Sequence, residues 1–303
     1  MSDAPSGILN LHKPAGPTSH DCVARVRRVL STRRVGHAGT LDPMATGVLV
    51  IGVGQGTRIL EYAQGLPKTY RASVRFGLET DSQDTTGSVL AEADASEITE
   101  ERLREALRQF EGEILQVPPM VSALKVGGKK LYELARAGQT VEREARPVTI
   151  YSIELLDFVS GPRAAAELRV RCSAGTYVRT LCHDLGRLLG PGAAMSALER
   201  EAVGHFTLAE AVPLDELTPE TPLIPPAEAL RHLPRMTAQP EQAVRLAHGQ
   251  FLSAPDGLPD GPICVVDNEG RLLAIASARG HGENRLLTPE KVFSEPDAAR
   301  SGS

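Results

Sequence analysis

Tyr70-Arg-Ala-Ser-Val-Arg-Phe76 alternates without a break: Tyr70, Ala72, Val74 and Phe76 fall on one side of an extended chain, Arg71, Ser73 and Arg75 on the other. A strand that is apolar on one face and polar on the other belongs to a sheet with one covered and one wet face, as antiparallel sheets have. Ala166–Cys172 repeats the pattern, with Leu168, Val170 and Cys172 set against Glu167, Arg169 and Arg171. Val148–Phe158 reads as another strand, Val48–Val53 as a buried one, and Gly7–Leu11 as a short first strand closed by Lys13-Pro14. Helical patterns lie between them. Ser19 is placed to cap a helix running to about Ser31, with Val23, Val26, Val29 and Leu30 inward and Arg25, Arg27 and Arg28 outward. Ile98–Phe110 turns Leu103, Leu107 and Phe110 inward, and Lys129–Ala137 reads as a short helix stopped by Gly138. Thr176 is placed to cap a helix through Leu189. Strands and helices alternate irregularly, which predicts an α+β domain on a mixed, largely antiparallel sheet with flanking helices.

The chain of 303 residues is long enough for two domains. Six prolines between Pro213 and Pro234 mark a boundary. The predicted division is a catalytic domain over 1–212, a Pro-rich linker over 213–234, a small β-rich domain over 235–293 and a disordered tail over 294–303. In the β-rich part, Asp267-Asn-Glu-Gly270 splits two apolar runs as a hairpin turn does. Residues 79–97 are acidic and polar and read as a loop or excursion.

No apolar stretch approaches the roughly 20 residues of a membrane helix, and the first residues show no basic start followed by an apolar run. Cys22, Cys172, Cys182 and Cys264 stand at no metal-binding or C-x-x-C spacing. A cytoplasmic protein with idle thiols is expected, with a monomer as the default. The net charge of -5 hides blocks: +5 over 1–80, -7 over 81–120, +3 over 121–204 and -6 over 205–303. A basic face on an acidic protein still binds phosphates, because the local field decides.

Two segments present groups with chemistry. In Gly36-His-Ala-Gly-Thr-Leu-Asp-Pro-Met-Ala-Thr-Gly47 a carboxylate, Asp42, sits among small residues, with His37 five positions earlier. Such a loop brings one acid close to a substrate; Asp-Pro also starts turns, and the local residues leave both readings open. In Cys172-Ser-Ala-Gly-Thr-Tyr-Val-Arg-Thr180 a strand gives way to a helix, with Tyr177 and Arg179 at the junction. Gly52-Val-Gly-Gln-Gly56 does not match a dinucleotide fingerprint, and no phosphate-loop, metalloprotease or nucleophile-elbow motif occurs.

Taken together these segments resemble the TruB family of tRNA pseudouridine synthases, which isomerise uridine 55 in the T loop of tRNA. Gly36 to Leu49 resembles the family's catalytic motif, Gly7-Ile-Leu-Asn-Leu-His-Lys-Pro14 its opening motif, and Lys68-Thr-Tyr-Arg-Ala72 the strand carrying its active-site tyrosine. Pro119 to Lys125, Gly128 to Tyr132, Arg143 to Pro147, Cys172 to Thr180 and Leu198 to Phe206 follow in order. Residues beyond the Pro-rich stretch resemble a PUA-type RNA-binding domain. His12, Ala174, Glu199 and Glu201 depart from the usual pattern, at positions tied to RNA backbone contacts rather than to the reaction.

The resemblance implies a pseudouridine synthase fold and an isomerase that needs no cofactor, metal or redox partner. It makes Asp42 the catalytic carboxylate, Arg179 the guanidinium that keeps it ionised, and Tyr70 the stacking residue and candidate for proton transfer at C5. Tyr177 and Leu198 line the uracil pocket, and His37 packs against extruded nucleotides. Lys13, Arg33 and Arg34 meet phosphates, while the acidic 81–120 block faces away from RNA. The implied partner is the T arm of tRNA. Two other readings stay open on the residues: a tRNA-binding or folding module whose catalysis is secondary or lost, and a glycosidic-bond hydrolase, which ordinarily shows two acids or a metal.

Overall fold

The computed structural model describes residues 5–120, 125–126, 129–130, 141–280 and 285–293. Ten strands form one mixed sheet. Its main path runs Val212–Pro213, Gly7–Lys13, Thr46–Val53, Ala193–Val203, Lys68–Phe76, Ala165–Cys172, Arg146–Val159 and Gly112–Gln116. Val35–His37 joins through Thr46–Val53, and Phe206–Thr207 through Ala193–Val203. Neighbours are antiparallel except where Val212–Pro213 meets Gly7–Lys13 and where Thr46–Val53 meets Ala193–Val203.

The alternating strand Lys68–Phe76 lies between Ala193–Val203 and Ala165–Cys172. Tyr70, Ala72, Val74 and Phe76 are buried and Arg71 is exposed, as the alternation requires. Helices Glu100–Arg108 and Val178–Leu189 cover that face: Leu103, Leu107, Leu181, Leu185 and Leu189 share one cluster with Val74, Phe76, Leu168 and Val170. Each fully buried aliphatic or aromatic side chain there contributes roughly 1.5–3 kcal/mol. On another part of the sheet, helix Ser19–Val29 packs Cys22, Val23 and Val26 onto Leu9, Leu11, Leu49 and Ile51.

Both predicted caps shift by a residue. Thr18, not Ser19, caps the first helix, in a reciprocal box with Asp21. Ser19 instead exchanges hydrogen bonds with the Leu41 backbone, donating to its oxygen at 3.1 Å and accepting from its N–H at 2.9 Å. Thr176 donates to the Ser173 carbonyl at 3.0 Å rather than capping. The helix begins after Tyr177, whose N–H donates to Gln116 Oε1 at 3.0 Å.

Within the acidic excursion Leu78–Thr80 and Val89–Glu92 pair as a hairpin, too short for alternation to show. Lys129–Lys130 pairs with Lys125–Val126 as a two-residue ladder instead of opening a helix. The rest of that expected helix, Gly138, parts of the 119–125 and 128–132 motifs and the tail 294–303 lie outside the described residues. Gly52-Val-Gly-Gln-Gly56 leads into a 3₁₀ turn over Gly54–Ile59, and a Cβ on Gly56 would stand 1.9 Å from the Gly7 carbonyl oxygen. These glycines serve a backbone crossing.

The C-terminal part is a five-stranded sheet ordered Arg235–Thr237, Pro262–Val266, Leu272–Arg279, Leu286–Val292 and Leu252–Ser253. The turn at Asp267–Gly270 is the predicted hairpin connection. Met236, Leu246, Leu252, Ile263, Val265 and Leu287 form the core of this part. Cys264, Val266 and Ile275 join a second cluster with Ile8, Val48, Val50 and Ile59 of the large sheet. Arg58 adds a polar clasp: it donates to the Val292 carbonyl at 2.6 Å and stacks 4.4 Å from the Phe293 ring centroid. All four cysteines are buried and free, and no helix of the described residues is long and apolar enough to cross a membrane.

Candidate active site

Residues 36–47 connect two paired strands, and Asp42 lies in the loop with 36 % of its side chain exposed. The loop is fastened by two buried cations. Lys13 Nζ, at the end of the first strand, donates to the carbonyls of Pro14 at 3.0 Å, Pro43 at 3.2 Å and Ala45 at 2.6 Å. Lys13 is 0 % exposed, so the expected phosphate contact is corrected: its charge is consumed by the loop. Arg200, on the strand Ala193–Val203, donates through Nε to Val48 O at 2.7 Å, through Nη1 to Thr40 O at 3.4 Å and through Nη2 to Gly39 O at 3.2 Å. Gly47 lets the strands meet: its φ is +103°, and a Cβ there would lie 2.3 Å from the Arg200 carbonyl oxygen.

Arg179, second residue of its helix, is buried and faces Asp42, with Nη2 3.2 Å from Oδ2. Its Nη1 lies 3.5 Å from Oδ2 of Asp84. Asp84 is fixed in turn: Oδ1 accepts from Ser82 Oγ at 2.8 Å, Thr86 N at 3.0 Å and Thr86 Oγ1 at 2.5 Å. Asp84 comes from the acidic 81–120 block, which is expected to face away from RNA, yet this one residue of it is part of the site. The net charge of a segment does not place one residue, and a carboxylate with hydroxyl donors and a guanidinium is satisfied when buried.

Asp84 also alters the electrostatics of Asp42. Arg179 is expected to keep Asp42 ionised and acts in that direction, but burial outweighs it and the pKa is raised from its ordinary 3.8. Burial is the largest cause, Arg179 opposes it, Asp84 adds to it as a like charge, and Lys13 opposes it.

Leu41, Ala45, Tyr70, Val178 and Leu198 belong to one buried cluster, so the loop, the alternating strand, the helix start and the 193–203 strand share one core. The Tyr70 phenol is pushed up by burial, drawn down by the charge and hydrogen bond of Arg200, and pushed up further by Cys172 and, least, by Asp42. Tyr177 is half-buried at the strand-to-helix junction, its carbonyl accepting from Gln116 Nε2 at 3.2 Å. His37 is half-buried, its ring edge-on to His20 at 5.4 Å between centroids. Arg33 and Arg34 are exposed, and Arg34 Nε donates to Thr57 Oγ1 at 3.1 Å. Of the departing residues, Glu201 pairs with Arg169 at 2.9 Å, Glu199 accepts from Thr46 Oγ1 at 3.4 Å, and Ala174 is exposed.

Asp84 and Arg200 are the site residues that sequence reasoning missed. Asp84 carried one usable signal, an acid flanked by Ser82, Thr85 and Thr86 inside a charged segment. Arg200 stands between Glu199 and Glu201 and reads from sequence as a solvated charge. Chemically, the arrangement offers one partly open carboxylate beside a fixed guanidinium and a buried phenol: a nucleophile or base, its charge partner, and a proton-transfer group.

The fold is that of the pseudouridine synthases. It is similar to a structure of a Cbf5-Nop10-Gar1 complex, with a TM-score of 0.75 and 27 % identity over 97 % of this chain and 86 % of that one. It is also similar to an H/ACA RNP bound to a substrate RNA containing 2′-deoxyuridine, with a TM-score of 0.73 and 26 % identity over 96 % and 86 %. Residues 27–178 match the TruB family pseudouridylate synthase N-terminal domain, and residues 179–232 match the tRNA pseudouridylate synthase B C-terminal domain. The tRNA pseudouridine synthase B of Symbiobacterium thermophilum is 55 % identical over 80 % of this chain and 82 % of its own length. That of Heliobacterium modesticaldum is 44 % identical over 95 % of each. The chain belongs to the TruB family of pseudouridylate synthases.

Proposed function

We propose that this chain is a tRNA pseudouridine synthase that isomerises uridine 55 of the T loop, with Asp42 as the reacting carboxylate. The observation that carries this reading is the 3.2 Å pair between Arg179 and Asp42, the latter on the loop that resembles the family's catalytic motif. In the reaction the N1–C1′ bond breaks, the uracil turns, and C1′ joins C5; C5 then gives up a proton and N1 gains one. Ionised Asp42 starts it, either by attacking C1′ or C6 or by removing a sugar proton. Tyr70, having first released its phenol proton to solvent, takes the C5 proton as a phenolate, and N1 is reprotonated from solvent.

A base within a folded T loop must be extruded first, at a cost of a few kcal/mol. Stacking on Tyr70 offsets this by about 1–3 kcal/mol, with Tyr177 and Leu198 as the remaining walls and His37 against the displaced nucleotides. Arg33 and Arg34 meet phosphates. Residues 1–212 form the catalytic domain and 235–293 a PUA-like RNA-binding domain.

The test is incubation with an unmodified tRNA transcript, followed by mapping of the product. Pseudouridine at position 55 supports the reading. Free uracil marks a hydrolase, and tight binding with no product marks a binding or folding module; either outcome overturns it.

A further inference from the structure

Arg200 is among the largest side chains the fold buries completely, at 1 % exposed. An ion pair does not explain it: its hydrogen bonds go to the carbonyls of Val48, Thr40 and Gly39 and to the Tyr70 phenol, and no carboxylate among the described residues pairs with it. Burying a cation in this way is costly before its hydrogen bonds are counted. An apolar side chain would fill the same space without that cost.

What the cation touches suggests what it does. Two of its acceptors lie in the loop just before Asp42. Arg200 is also the direct cross-strand partner of Tyr70 on adjacent antiparallel strands, so both side chains stand on the same face. One guanidinium therefore joins the loop that carries the carboxylate to the strand that carries the phenol.

We propose that Arg200 is a positioning residue for the isomerisation: it fixes the separation of Asp42 and Tyr70, and it supplies the positive neighbour that favours Tyr70 as the phenolate that accepts the C5 proton. The inference rests on the reading of Asp42 and Tyr70 as the reacting pair. Arg200 acts through them, because it is sealed from substrate. The direction of its effect on Tyr70, favouring the ionised phenol against burial, agrees with the geometry.

The experiment compares the parent enzyme with Arg200→Lys and Arg200→Gln in single-turnover pseudouridine formation on a tRNA transcript across pH, alongside thermal melts and tRNA affinity. The Lys variant keeps the charge and loses the fork; the Gln variant keeps donors and loses the charge. Both are expected to fold and to bind tRNA like the parent. The Lys variant should react about 10-fold more slowly with the parent's pH profile, and the Gln variant about 100-fold more slowly. The Gln variant's rate should also rise only at higher pH than the parent's, because the phenol has lost its cationic neighbour. Parental rates and profiles in both folded variants overturn the proposal. So does an equal loss in both with no change of profile, or a loss that follows the folded fraction. A parent enzyme that makes no pseudouridine overturns the underlying reading instead, before any variant is compared.

Discussion

Asp84 Oδ2 lies 3.5 Å from Arg179 Nη1, and both side chains are all but closed to solvent. Arg179 therefore divides its charge between two carboxylates, and Asp42 receives only part of it. With Asp42 raised above 3.8, chiefly by burial and with Asp84 as an added cause, the acid limb of the pH–rate profile should lie above pH 3.8. Asp84→Asn removes a like charge and should move that limb toward lower pH. The plateau rate should fall about 10- to 100-fold, because Arg179 loses one of its anchors. Single-turnover rates across pH check both, and a limb that stays in place contradicts the shared-guanidinium arrangement.

Lys13 and the pair Arg33 and Arg34 separate a buried structural cation from the proposed phosphate contacts. Lys13→Met leaves carbonyls of the loop without their donor, at about 1–3 kcal/mol each where they stay buried. It should lower the melting temperature while leaving the salt dependence of tRNA binding unchanged. Arg33→Ala and Arg34→Ala should leave the melting temperature in place and each reduce the slope of log affinity against log salt by about 1. A reduced slope for Lys13→Met would contradict its burial.

At Gly47 a methyl group meets backbone, not a flexible side chain, and the φ of +103° disfavours any L residue. Gly47→Ala should part the strands Thr46–Val53 and Ala193–Val203 at the one place where they pair in parallel. A loss of about 2 kcal/mol or more in a denaturant titration is expected, from strain plus displaced pairing, with activity falling further than stability because Arg200 moves with the joint.

How far the sequence discloses all this depends on the residue. The alternation from Tyr70 to Phe76 reports its own sheet face, because burial on one side of a strand writes itself into every second residue. Asp42, Tyr177 and Arg179 are legible through their motifs. Lys13 and Arg200 are not, since a buried cation satisfied by carbonyls leaves no pattern in its neighbours. Asp84 is hidden for the opposite reason: its segment looks like solvent-facing acid, and only the fold carries it 95 positions along the chain to Arg179.

His205 is expected to make the fold sensitive to acid. Burial, then the nearby Arg231, lowers it to about 4 from 6.5, and its ring lies 4.2 Å from Phe206 and 5.6 Å from His232. A histidine that is neutral when folded binds fewer protons than when unfolded. Its contribution is therefore complete above pH 6.5 and is lost as pH falls toward about 4. The denaturation midpoint should drop across that window, and His205→Leu should flatten the drop. An unchanged pH dependence in that variant would assign the acid sensitivity elsewhere.

The most direct measurement is pseudouridine formation at position 55 by the Asp42→Asn variant beside the parent, with tRNA affinity taken on the same samples. Asn keeps the shape of the side chain and removes the charge that faces Arg179. The expected result is product from the parent, none from the variant, and affinity within about threefold, since removing this one group costs reaction rather than phosphate contacts. Product from a folded Asp42→Asn enzyme would contradict the assignment of the reaction to that carboxylate.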